Sequence, residues 1–154
     1  MNDFIPLKNL RDSEFKNIVC YPRFIEEDFN QRMNELESLG VKFFELGGKS
    51  RIGSFDVLGK GYSGVIVKVK MVDGKRYALK IRRIDSGKEN MLHEVEMLKK
   101  ANAVGVGVKL QNATKNFILI ELVEDELLPQ WVEKLRGRGK KLRLKKVLVE
   151  TLRQ

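Results

Sequence analysis

Gly59, Gly61 and Gly64 stand in the spacing G-x-G-x-x-G, and Lys80 and Glu94 come later in the chain. Together these residue types can hold an anion. Glycines let backbone N–H groups come close to a phosphate because no Cβ blocks the approach. A lysine whose ammonium is fixed by a carboxylate supplies a positioned cation. Each piece alone says little. The glycine spacing occurs in unrelated folds, and an exposed Lys–Glu pair is worth only about 0–1 kcal/mol. An ordinary tight hairpin, with glycines serving its turn geometry, is the competing reading of the loop.

The residues directly after the glycines separate the phosphate-binding alternatives. In a dinucleotide-binding unit the motif opens a helix that receives the pyrophosphate. Here the next residues are "VIVKVK", with Val65, Val67 and Val69 alternating with Ile66, Lys68 and Lys70. That period of two, in β-branched residues, is a strand signal. A Walker A loop fails too, because "GGKS" at 47–50 ends correctly but Phe43 stands where the first glycine is required. A glycine-rich hairpin remains, flanked by strands in "FDVLG" and "VIVKVK".

The elements that must position Lys80 and Glu94 are legible around them. Asp73-Gly74 predicts a two-residue hairpin turn into a third strand, "YALK", which carries Lys80. Ser86 and Glu89 stand in S-x-x-E register and predict a capping box. The helix it opens, roughly 87–101, carries Glu94 and an apolar face of Met91, Leu92, Val95, Leu98 and Ala101. "VKLQNA" and "NFILIEL" predict two more strands. Upstream, a short helix is expected over 12–19, capped at Asp12 or Ser13. A stronger one is expected in "FIEEDFNQRMNELESLG", with Ile25, Phe29, Met33 (or the stem of Arg32), Leu36 and Leu39 on one stripe. Glu26, Glu27 and Asp28 suit its first turn and Gly40 its end. "VKFFEL" at 41–46 predicts a strand, and 126–154 predicts two helical pieces around "RGRGKK".

Bulk properties bound the class. A chain of 154 residues with 42% hydrophobic and 33% charged residues suits one soluble globular domain. The apolar run "FILI" is too short to cross a membrane, and "MNDFIPLKNLRDSEF" has no signal-peptide core. Cys20 is the only cysteine and His93 the only histidine, which excludes an internal disulfide and a Cys/His zinc site within one chain. Cys20 is expected to be buried, in a protein of the reducing cytoplasm. The charge is uneven: residues 1–58 hold 8 Lys/Arg and 10 Asp/Glu, and residues 59–154 hold 22 and 11. A net of −2 against +11 suggests an anionic partner for the second half, with a solvated basic face as the bland alternative.

This ordered set resembles the N-terminal lobe of the protein-kinase superfamily, and within it small RIO-like predicted serine/threonine kinases of archaeal type. "LGKGYSGVIVKV" is similar to the kinase glycine loop, with Gly59, Gly61 and Gly64 in place and Ile66 at the valine position. "YALK" is similar to V-A-I-K, matching at Ala78 and Lys80. "HEVEMLKKAN" resembles the helix that supplies the ion-pair glutamate, which selects Glu94 over Glu96. "NFILIELVED" resembles the strand that runs into the hinge. The resemblance implies an α+β fold: a five-stranded antiparallel sheet plus one main helix (51–125), an N-terminal helical extension (1–50), and the basic, helical start of a C-lobe (126–154). It implies an ATP site formed by Leu58, Gly59, Gly61, Tyr62, Ser63, Gly64, Ile66, Ala78, Lys80, the gatekeeper Ile120, and hinge backbone from Glu121 to Val123. Magnesium would join the ATP in a complete kinase.

Kinase chemistry also needs a catalytic aspartate and metal ligands after the hinge. No Asp follows Asp125 and no Asn follows Asn116. The chain alone is therefore expected to be inactive, as a piece of a longer kinase acting on a protein substrate, or as a kinase-derived binding module. The module reading rests on Lys134, Arg136, Arg138, Lys140, Lys141, Arg143, Lys145 and Lys146, eight cations uninterrupted by an acid. Such a run suits RNA, although no aromatic interleaves it and Trp131 lies just outside. Leu144, Val147, Leu148 and Leu152 form an apolar stripe at helical spacing, expected to seek a partner such as a second copy of the chain.

Overall fold

The computed structural model describes residues 4–124, 134 and 139–153. In chain order the elements are β1 (Phe4–Pro6), a 3₁₀ turn (Leu7–Asp12), α1 (Lys16–Val19), α2 (Glu26–Leu39), β2 (Val41–Glu45), β3 (Ser50–Ile52), β4 (Phe55–Val57) and β5 (Gly59–Lys60). They continue with β6 (Gly64–Met71), β7 (Arg76–Arg82), α3 (Leu92–Ala103), β8 (Leu110–Ala113), β9 (Phe117–Glu121) and α4 (Lys140–Arg153). The fold is α+β with an antiparallel sheet.

Among the described residues the main sheet has seven strands, not five, in the order β1-β2-β6-β7-β9-β8 with β5 also on β6. The reason lies in the length of β6. Two-residue β5 pairs only Val65 and Ile66, leaving Lys68 to Met71 as an open edge that β2 fills. The strand expected immediately before the glycines is split accordingly: β4 turns away and pairs with β3 in a separate two-stranded sheet.

Alternation along the strands divides the main sheet into two faces. Val65, Val67, Val69, Leu79, Ile81 and Phe117 point to one face and pack with Phe29, Leu36 and Leu39 of α2 and with Leu10, Phe15 and Ile18. The segment 1–50 thus shares one core with the later strands, and Met1–Leu122 forms one compact unit. On the other face Met91 and Val95 pack on Ile118, joined by half-buried Leu98, Leu110 and Ile120.

Several local expectations change. In α2 the buried stripe is Phe29, Arg32, Leu36 and Leu39, while Ile25 is a half-exposed N-cap and Met33 is half-buried. Arg32 is fully buried because Nη1 donates to the carbonyls of Val19 (2.7 Å) and Arg82 (2.9 Å). Burial pushes its pKa down and the neighbouring Asp28 carboxylate opposes this. The Asp73-Gly74 turn is a three-residue loop: Gly74 donates to Met71 O (3.0 Å), Met71 donates to Lys75 O (2.8 Å), and Gly74 takes φ +85°. The capping box at Ser86 does not form, because the Ser86 hydroxyl donates to Arg83 O instead. α3 starts at Leu92, where Asn90 Oδ1 accepts the Leu92 N–H, and Leu92 itself is 57% exposed. Upstream, the expected 12–19 helix is helical only over Lys16–Val19 (α1); Asp12 is the last residue of the preceding 3₁₀ turn, and Ser13 Oγ accepts the Phe15 N–H. Cys20 is fully buried, and burial pushes its thiol pKa up.

Residues from Val123 onward belong to a second unit. Its α4 exposes Lys141, Arg143, Lys145 and Lys146 together with Leu142 and Val149, while Leu144 is half-buried. Lys134 is exposed. Arg136, Arg138 and Trp131 lie outside the described residues, as do the side chains of Lys140, Val147, Leu148 and Leu152. Among the described residues no helix is long and apolar enough to cross a membrane.

Candidate functional site

Lys80 sits at the centre of the sheet, opposite Ile66 on β6 and Ile118 on β9. Strand alternation puts Lys80 and Ala78 on the α3 side, opposite the face that buries Leu79 and Ile81. α3, which connects β7 to the β8–β9 hairpin, brings Glu94 to it, and Lys80 Nζ donates to Glu94 Oε1. The pair is 20% and 31% exposed, so it is screened only in part. Glu96, the rejected alternative, is exposed, as is His93.

The same face carries Ile66, Ala78 and Ile120 of the apolar residues expected around a base. Ala78 lies opposite Ile120 across β7 and β9, with Ala78 buried and Ile120 half-buried. Ile66 is half-buried on β6, and Leu58 is half-buried between β4 and β5. Glu121 ends β9; its N–H donates to Lys109 O and its Oε1 accepts the Lys109 N–H. Val123 is exposed and belongs to the second unit.

The glycine hairpin closes with the Gly61 N–H donating to Gly64 O (2.9 Å), leaving Tyr62 and Ser63 at the tip and Tyr62 84% exposed. Its three glycines have different causes. A Cβ on Gly64 would lie 2.7 Å from Ile81 O and 3.0 Å from Lys80 Cε, so β7 itself demands a glycine there. A Cβ on Gly59 would meet nothing closer than 3.9 Å, and one on Gly61 nothing closer than 3.7 Å, which is ordinary contact. The fold does not explain those two glycines. Alanine at Gly64 is expected to lower stability by about 1–3 kcal/mol through overpacking against β7. Alanine at Gly61 is expected to leave the melting temperature nearly unchanged. Thermal melts of the two variants side by side check this contrast.

Residues outside the expected set hold the hairpin. The Arg83 N–H donates to Ser63 O (3.2 Å) and its guanidinium to Gly61 O (3.2 Å) while clasping Asp85 (2.7 and 2.8 Å). The Tyr21 ring lies under both Arg83 Cζ (5.0 Å) and Lys60 Nζ (5.1 Å). Neither Arg83 nor Tyr21 falls in a sequence motif, since their roles arise from contacts distant in the chain. Two cavities of about 420 and 490 Å³ lie elsewhere, one against Arg23, Asp28 and Arg82, the other against Leu7, Val41 and Phe43. Neither includes Lys80 or Glu94. Charge placement, and not depth, marks the site. Among the described residues no cluster of three or more His, Cys, Asp or Glu side chains is placed to hold a metal ion.

No protein-family model matches this chain, and no curated protein sequence matches it significantly.

Proposed function

We propose that the unit Met1–Leu122 is a nucleotide-binding roof of the protein-kinase N-lobe type, with ATP as its ligand. The Lys80–Glu94 ion pair, joining the central strand to α3, carries the reading. The strand order β5-β6-β7-β9-β8, with α3 inserted between β7 and β8, supports it, as does the absence of any packing reason for glycine at 59 and 61. In this reading the hairpin N–H groups cover the phosphates, Lys80 neutralises them, and Ile66, Ala78 and Ile120 contact the base. The chain binds and orients ATP, while phosphoryl transfer needs a catalytic aspartate and metal ligands after the hinge, where the sequence has no Asp beyond Asp125 and no Asn beyond Asn116.

Calorimetric titration of ATP into the protein and into Lys80→Ala tests the reading. The expected result is saturable binding that Lys80→Ala weakens about 10- to 100-fold, the scale of one charge-assisted contact. Binding that Lys80→Ala leaves unchanged, or no binding at all, would sink it. The exposed cations of α4 favour a second reading, a polyanion surface for RNA. An RNA titration in the same experiment separates the two, because affinity resting on α4 would fall steeply with salt and would not respond to Lys80→Ala.

A further inference from the structure

Glu94 holds two lysines. Oε1 accepts from Lys80, and Lys88 Nζ lies 3.8 Å from Oε2. We propose that Lys88 is a second phosphate-binding cation that makes the site select nucleoside triphosphates over monophosphates; the proposal rests on the nucleotide reading above. The charge balance motivates it. A Lys80–Glu94 pair is neutral as a unit and exerts little net attraction on a polyanion, whereas Lys80, Glu94 and Lys88 together carry one net positive charge. The carboxylate spaces the two ammoniums, and Lys88 stays 46% exposed at its side chain.

The loop bearing Lys88 is built, not loose. The buried Arg82 guanidinium donates through Nη1 to Lys88 O (2.7 Å) and through Nε to Asn116 Oδ1 (2.8 Å). Asn116 is 1% exposed and donates in turn to Glu35 of α2. The Met91 N–H closes the far end of the loop on Lys115 O (3.0 Å). The backbone of Lys88 is thus held while its ammonium is left beside Glu94.

The test is titration of ATP, AMP and inorganic triphosphate into the wild-type chain, Lys88→Ala, Lys88→Gln and Lys88→Arg, each with a thermal melt. Lys88→Ala and Lys88→Gln are expected to weaken ATP and triphosphate about three- to tenfold, as for a partly exposed charge contact. AMP should change less than about twofold, and Lys88→Arg should restore ATP affinity. Equal weakening of AMP and ATP, or ATP affinity unchanged in Lys88→Ala while Lys80→Ala still loses it, would overturn the role of Lys88 alone. Failure of the wild-type chain to bind ATP would overturn the nucleotide reading, and this inference with it.

Discussion

Alanine in place of Glu35 is expected to lower the unfolding free energy by about 2–4 kcal/mol. At this chain length that is a fall of about 5–15 °C in melting temperature. Glu35 lies on α2, and its carboxylate accepts from the Thr114 hydroxyl, the Asn116 N–H (2.9 Å) and Asn116 Nδ2 (2.5 Å). It therefore ties α2 to the turn between β8 and β9. The consequence runs further, because Asn116 accepts from Arg82, which holds the backbone of Lys88. Removing the carboxylate strands an Asn116 amide that is 1% exposed, and a buried donor without a partner forfeits its full solvation. Glu35→Gln retains an acceptor for the Asn116 N–H but turns an amide donor toward Asn116 Nδ2, so a smaller loss is expected. Chemical denaturation of both variants decides the matter. A Glu35→Ala change within about 0.5 kcal/mol of wild type, the range of ordinary surface substitutions, would show that the network holds nothing.

Gly48→Ala is expected to be at least as damaging, with a loss of about 3 kcal/mol or more. Gly48 has φ +147°, and a Cβ built there would lie 2.0 Å from Val57 O and 2.5 Å from Leu58 N. Those atoms are backbone and cannot swing aside as a side chain would. Adjacent Gly47 donates to Asp56 O (3.1 Å), so the connection from β2 to β3 lies directly on the residues that lead into the glycine hairpin. Relief of the overlap requires the backbone at Val57–Leu58 to move, and Leu58 to Gly64 must move with it. Gly48→Ala should therefore reduce nucleotide binding as well as stability, although Gly48 makes no ligand contact in the proposed site. A soluble Gly48→Ala protein with a wild-type melting curve would refute the close approach.

Elements with a local cause can be read from the order of residues alone. The alternation in "VIVKVK" sets β6, and the apolar spacing with acidic first turn and Gly40 sets α2, since both signals act between near neighbours in the chain. The order of strands and helix around Lys80 and Glu94 was legible for the same reason, and their contact arises once a strand and the next helix pack. Tertiary structure decided the rest. The edge that β6 offers admitted β1 and β2 into the sheet. The hydrogen-bond demand of Arg83 O took Ser86 away from its capping box and moved the start of α3 to Leu92. Of the two residues the spacing allowed on the α2 stripe, Arg32 and not Met33 is the buried one, because two carbonyls, from Val19 and Arg82, converge on its guanidinium. Gly48, whose only sequence signal was a failed Walker pattern, is fixed by the backbone of Val57 and Leu58, and Lys88 by a chain of contacts that begins at Glu35. Partners this distant leave no periodicity to read, because each is chosen by where the folded chain brings a donor, an acceptor or a backbone too close for a Cβ.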